Sequence, residues 1–213
     1  MKELIIAAYN RDLTWLNRLP SDVKTIVYRK GQQTGNVNEI FIEKNIGRCV
    51  HTFFSHIYNR YSDLSPFTFF VQDYPFDHWQ NLIDCLSYTE EDFKNTATVQ
   101  CGGYYGYVNF GSVLVQAQHV GVGSVLKCSH TGAPHHDGID IVKYWKQLFD
   151  QEPPDYFEFN PGGHFVITKE HALLRSRDFY KLIINLLESE EIAPYAIERL
   201  ENYIFNTAFK AII

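Results

Sequence analysis

The chain has 213 residues, 45% of them hydrophobic and 21% charged, enough for one sizeable core and ordinary for a globular protein. Its net charge of -6 at pH 7 excludes non-specific nucleic-acid binding, which needs a basic surface, but leaves room for a local basic pocket around a phosphate. The apolar start "MKELIIAAYN" is too short for a signal peptide or a membrane span, so the expectation is a soluble, cytoplasmic protein.

In chain order, "ELIIAAYN" is an apolar run without alternation, as in a strand covered on both faces. "RDLTWLNRLP" predicts a short helical segment that Pro20 helps to end, and "VKTIVYRKG" a second strand stopping at Gly31. In "GRCVHTFFSHIYNRY", Val50, Phe53, Phe54, Ile57, Tyr58 and Tyr61 form the stripe of an amphipathic helix. "FTFFVQ" is the next strand, and "DHWQNLIDCL" reads as another helix. Strands alternating with helices mean βαβ units and a mostly parallel sheet. The middle, "CGGYYGYVNFGSVLVQ" and the loop "CSHTGAPHHDG", is less regular. "IDIVKYWKQLF" is a helix, "EPPDYFEFNPGG" a connection and "HFVIT" a late strand. Two helices, "ALLRSRDFYKLIINLLES" and "PYAIERLENYIFNTAF", follow. The expectation is one α/β domain over residues 1–213, with a central, mostly parallel mixed sheet flanked by helices. The apolar end "AFKAII" hints at a fragment of a longer protein. Cys49, Cys85, Cys101 and Cys128 form no CxxC pair and read as free thiols.

In open parallel sheets, ligands bind beyond the carboxyl ends of the strands. Three segments should meet there: Tyr9 to Asp12 after the first strand, Tyr28 to Gly31 after the second, and Gln72 to His78 after the third, with Ala8, Tyr9, Asn10, Asp12, Arg29, Lys30 and Gln72 as the nucleotide-binding candidates. Together they offer aromatic rings, two cations and the carboxylates Asp73 and Asp77, the mixture that a nucleotide and its divalent cation need. Each alone also reads as a solvated turn residue. Asp77 precedes Gln80 by three residues, the spacing of a capping box, whereas Asp73 directly follows the strand and is the better metal ligand. Arg48 opens a helix whose N-terminus and guanidinium both suit a phosphate, and is equally a plain first-turn arginine. His130, His135, His136 and Asp137 crowd one loop; they could hold zinc, but contacts to a donor or acceptor substrate, His136 among them, are the better reading. His78 and His164 are candidates for the same contacts, His164 at a strand start being equally a structural histidine. Glu198 sits beside the helix face of Ile197, Leu200 and Ile204, as a general base or as a solvated charge.

The ordered set "ELIIAAYNRDLTWLNRLP", "YRKG", "GRCVHTFFSHIYNRYSDL", "FTFFVQDYPFDH", "GGHFVITKEH" and "IERLENYIF" resembles the GT-A-type glycosyltransferases over nearly the whole chain, most of all a viral branch tied to capsid glycans. The resemblance implies a GT-A-like (Rossmann-like) fold. It also implies a UDP-sugar donor (a hexose or deoxyhexose such as glucose or rhamnose), a glycan or glycoprotein acceptor, and Mn2+ (or Mg2+) on the diphosphate. That family carries its metal on an Asp-x-Asp motif after a central strand; here "QDYPFD" stands in that place, so Asp73 inherits the role and the second Asp is displaced. Glu198 is then the candidate base of an inverting transfer, while a retaining transfer would need none. Two other readings stay open: a metal-dependent phosphohydrolase or nucleotidyl enzyme using the histidine loop, and a non-catalytic sugar-binding module.

Overall fold

Four parallel strands set the frame: β1 (Lys2–Ala8), β2 (Val23–Lys30), β3 (Glu39–Ile42) and β4 (Phe67–Gln72). The computed structural model describes residues 2–32, 34, 39–42, 44–89, 92, 107–109, 116–119, 125–126, 138–159, 162–206 and 208–213. β1 lies between β2 and β4, in a register that pairs Ala8 with Arg29 and Ala7 with Gln72. The three carboxyl ends are therefore level. β10 (Phe165–Thr168) extends the sheet antiparallel to β4, and β5 (Tyr107–Asn109) pairs antiparallel with β10, giving the order β3-β2-β1-β4-β10-β5. Two small antiparallel pairs stand apart, β6 (Gln116–His119) with β9 (Tyr156–Phe159), and β7 (Val125–Leu126) with β8 (Ile139–Asp140).

The unbroken apolar run of β1 has a direct cause, because both faces of the sheet are covered. Ile5, Ala7 and Phe70 face one core, shared with α1 (Arg48–Asn59), α3 (Ile141–Leu148), α5 (Arg177–Ser189) and α6 (Ala193–Ile204). Leu4, Ile6, Phe69 and Val71 face the other, against Trp15, Trp79 and Leu82 of α2 (Leu82–Cys85). The α1 stripe behaves as its spacing requires: Val50, Phe53, Phe54 and Ile57 are buried, with Phe53 at 5.3 Å from Phe70 and 5.9 Å from Phe165 between ring centroids. The architecture is the expected α/β one, a mostly parallel mixed sheet flanked by helices, in the manner of a Rossmann-like domain. Among the described residues no helix is long and apolar enough to cross a membrane.

Two helices differ from the sequence expectation. Residues Pro75–Asp77 form a single 3-10 turn, and α2 begins only at Leu82. The N–H groups of His78 and Trp79 both return to the Pro75 carbonyl, at 3.1 and 2.8 Å, while the Trp79 indole is buried on Phe69. That anchoring replaces the first turn of the expected helix. Asp77 consequently caps nothing; the residue before α2 is Asn81, which makes no side-chain cap bond. The helix expected over "ALLRSRDFYKLIINLLES" is split into α4 (Lys169–Ala172) and α5, because the Ser176 hydroxyl accepts the Phe179 N–H at 3.0 Å and starts α5 afresh. Cys49 and Cys85 are free thiols. Cys101, Cys128, His130, His135, His136 and Asp137 lie outside the described residues.

Candidate functional site

β2 and β3 lie on one side of β1 and β4 on the other, so the connections leaving β1 and β4 diverge at their carboxyl ends. This is the switch point at which open α/β sheets hold ligands. A cleft of about 350 Å³ opens there. Of the residues selected from the sequence, Ala8, Tyr9, Asn10, Lys30, Arg48, Gln72 and Asp73 line it.

Asp73 is fixed by backbone. Its Oδ2 accepts the N–H groups of Tyr9 at 3.0 Å and Arg11 at 3.1 Å, and its carbonyl accepts the Trp15 indole N–H at 2.8 Å. The carboxylate thus holds the turn after β1 in place, a structural task the sequence did not disclose. Its Oδ1 takes neither of those bonds. The Tyr9 ring packs against Gly31, where an added Cβ would stand 2.6 Å from the ring. Gly31 also has φ +89°, so the position suits glycine on both counts.

Lys30 is only 2% exposed and donates from Nζ to the carbonyls of Ile46 and Arg48. Burial lowers its pKa to about 8, so the ammonium is only just retained at neutral pH. These bonds tie the end of β2 to the start of α1. There the chain turns through Gly47 and Arg48 with φ of 63° and 53°, and no side chain caps the helix. Its first N–H groups thus carry partial positive charge toward the cleft wall that Arg48 and Cys49 form. The Arg48 Nη1 donates to the Tyr195 hydroxyl at 2.7 Å, with the guanidinium 5.2 Å from that ring. Burial pushes the Cys49 thiol up to about 12, Glu198 and Glu201 adding to the effect, so it stays protonated and is no nucleophile at neutral pH.

Other selected residues sit elsewhere. The Arg29 guanidinium pairs with Glu39 (Nη2 to Oε1, 2.8 Å; Nε to Oε2, 3.2 Å) and bonds the Tyr9 carbonyl at 3.3 Å. It joins β2 to β3 rather than facing the cleft. Asp12 accepts from the N–H and hydroxyl of Thr14, closing a local turn. Asp77 and His78 are exposed, and the His78 ring stands edge-on to His164 at 5.7 Å. His164 is fully buried, and burial, then the nearby His78, lowers its pKa to about 3, leaving it neutral. Its Nε2 accepts the Gln72 N–H at 3.4 Å, so it supports the cleft from behind.

Glu198 is linked to the cleft through one residue. Its Oε1 accepts the Gly162 N–H at 2.9 Å, and the Gly162 carbonyl accepts the Gln72 side-chain amide at 3.0 Å. Three positions on, the pKa of the Glu201 carboxyl is raised well above its ordinary range by burial and then by Glu198 beside it, which favours its protonated form. Sequence reasoning overlooked Asn45 and Cys49, which also line the cleft, as does Arg11 within the selected segment Tyr9 to Asp12. Asn45 and Cys49 are placed by the return from β3, a strand whose signal in "NEIFIEK" went unread.

Among the described residues, no group of three or more His, Cys, Asp or Glu side chains could hold a metal ion unaided. The chemistry of the cleft fits a divalent cation that arrives with a phosphate ligand, since such ions are held by one or two carboxylates plus phosphate oxygens. Asp73 supplies a hard oxygen donor whose orientation is already fixed by two N–H bonds.

No curated protein and no solved structure matches the chain. A family model does match residues 4–212, a span that includes every residue of the cleft, and the chain belongs to that family, described as "Protein of unknown function (DUF3431)".

Proposed function

We propose that the cleft binds the nucleoside diphosphate part of a UDP-sugar, and that the protein transfers the sugar to a hydroxyl of a glycan or glycoprotein. The observation that carries this reading is the meeting of Tyr9, Lys30, Arg48 and Asp73 around one cavity at the switch point of the sheet. An aromatic face, two cations beside an uncapped helix start, and a pre-oriented carboxylate are the parts that a base, a diphosphate and its counter-ion require. The resemblance to GT-A-type glycosyltransferases supports the sugar and the uridine.

In this mechanism Lys30, Arg48 and the start of α1 attract the diphosphate and stabilise the charge that grows on it as the glycosidic bond breaks. Asp73 would hold Mn2+ or Mg2+, which when bound adds Lewis-acid neutralisation of the same leaving group. Tyr9 presents its ring from the rigid platform of Gly31. Glu198, kept in position by Gly162, takes the proton of the acceptor hydroxyl in an inverting transfer. It is better placed for this than Glu201, whose burial favours the protonated form of its carboxyl.

A thermal-shift panel of UDP, GDP and CMP, each with and without manganese, tests the binding half. UDP with manganese should raise the melting temperature most. Equal shifts for all three nucleotides would defeat the reading. Release of UDP from UDP-sugars, assayed with and without added glycans, separates a transferase from a non-catalytic sugar-binding module.

A further inference from the structure

A second cavity, of about 560 Å³, opens on the other side of Arg48. It lies between the start of α1 and the turn from α5 to α6, and Asn45 and Arg48 line both cavities. Its far wall carries Glu188, Ser189, Glu190 and Glu191, with Tyr195 beside Arg48. The geometry points to this second cavity as the acceptor subsite, shaped for an uncharged carbohydrate. The inference rests on the proposed glycosyl transfer and names the place and class of its second substrate.

Three physical features argue for it. Transfer requires the acceptor hydroxyl to come within roughly 3–3.5 Å of the sugar carbon, so the two substrates must occupy adjoining spaces. The shared Asn45 and Arg48 provide that adjacency. The lining is also right for a polyol: carboxylates that accept from hydroxyl pairs, and a tyrosine whose ring offers an apolar face. Two of the carboxylates are pre-positioned. Glu190 Oε2 is held by Lys143 and by the Tyr144 hydroxyl at 2.7 Å, and Glu188 Oε1 pairs with His51 Nε2 at 3.2 Å. Finally, the charge selects against anions. Among the described lining residues, the second cavity sets three carboxylates against Arg48 and so opposes a phosphorylated or sulfated acceptor, whereas the first sets Arg11, Lys30 and Arg48 against Asp73. Tyr195 precedes Glu198 by three residues on α6, which puts the two on the same side of that helix.

The test is saturation-transfer NMR on the full chain with a panel of neutral methyl glycosides (glucoside, galactoside, mannoside, xyloside and rhamnoside), with UDP titrated into the same samples. Ser189 is exposed at the end of α5, so Ser189→Trp fills the cavity without entering the core. At least one glycoside should bind the wild type and lose roughly tenfold or more in affinity in Ser189→Trp. Glu191→Gln should weaken it less, and UDP affinity should stay within about twofold in both variants. Absence of binding by every glycoside overturns the inference, as does binding that Ser189→Trp leaves unchanged or that a sugar phosphate exceeds. Glycoside binding that depends on Ser189, in a protein that ignores UDP, would instead uphold the carbohydrate site and remove the UDP-sugar reading.

Discussion

Asp73 Oδ2 accepts the Tyr9 N–H at 3.0 Å, so the residue that follows β4 also fixes the residue that follows β1. One side chain thereby sets the shape of the cleft and supplies the only aspartate among its described lining residues. Asp73→Asn keeps an oxygen for the Tyr9 and Arg11 N–H groups but removes the charge that strengthens both bonds. The expected cost is about 1–2 kcal/mol of stability. Manganese-dependent UDP affinity should fall by a larger factor than stability alone explains. Asp77→Asn, at an exposed position outside the cleft, should change neither. Calorimetric UDP titrations with and without manganese check both variants, and equal losses would mean that Asp73 acts only as a clamp.

Asp73 also marks how far the sequence could be read. The apolar runs of β1, β2 and β4 specify buried parallel strands, and the residues after a parallel strand gather at one sheet edge, so Ala8, Tyr9, Lys30, Gln72 and Asp73 were legible as one site. What Arg29 does was not legible, because its partner Glu39 sits on a strand ten residues away that pairs in parallel with β2. The same missed strand hid Asn45 and Cys49. Asp77 had the spacing of a cap, but burial of Trp79 on Phe69 overrode the local helix signal. The link from Glu198 through Gly162 to Gln72 joins positions 36 and 90 residues apart, and no local pattern encodes it.

Gly31→Ala should disturb the base platform. An alanine at φ +89° costs about 1–3 kcal/mol, and its Cβ would press on the Tyr9 ring, 2.6 Å away before any shift. Chemical denaturation should show that loss, and UDP affinity should drop because Tyr9 must turn aside. Unchanged stability would mean that Tyr9 does not rest on this glycine.

Lys30 gives the cleft a pH dependence. Burial lowers its pKa to about 8 from 10.5, so in the free cleft the cation is lost as pH rises through about 8. A diphosphate binds the protonated form better, so UDP affinity should fall above pH 8, by up to about tenfold per unit. Lys30→Met should bind UDP weakly at pH 7 and show a flatter profile. Titration calorimetry between pH 6.5 and 9.5 tests this, and parallel profiles for the two proteins would take Lys30 out of diphosphate binding.

At the opposite end of β1, Glu3 is 1% exposed and pairs with Lys24 at 2.8 Å and His56 at 3.3 Å. Burial alone would raise its pKa, but hydrogen bonding from His56 and Lys24 holds it at about 2 against an ordinary 4.5. A depressed carboxylate contributes stability above its unfolded pKa and loses it as pH falls through the folded one. The difference corresponds to about 3 kcal/mol, present above pH 4.5 and lost on the way down to pH 2. Glu3→Gln should be less stable at pH 7 and should have a shallower acid limb. An acid denaturation curve of unchanged slope would show that other groups drive acid unfolding.

Glu198→Gln tests the chemical step itself. The Gly162 N–H can bond a glutamine carbonyl as it bonds Oε1 now, so the loop before β10 and its contact with Gln72 should persist. Donor affinity should therefore stay near wild type. The amide cannot take a proton, so the transfer rate should fall by roughly a hundredfold or more if Glu198 is the base. Glu201→Gln is the matching control, because burial favours the uncharged form of that carboxyl and an amide is uncharged too, so turnover there should change little. Normal turnover in Glu198→Gln, with UDP affinity intact, would instead assign Glu198 to holding the Gly162 loop. The transfer would then proceed without a protein base at this position, as a retaining reaction does.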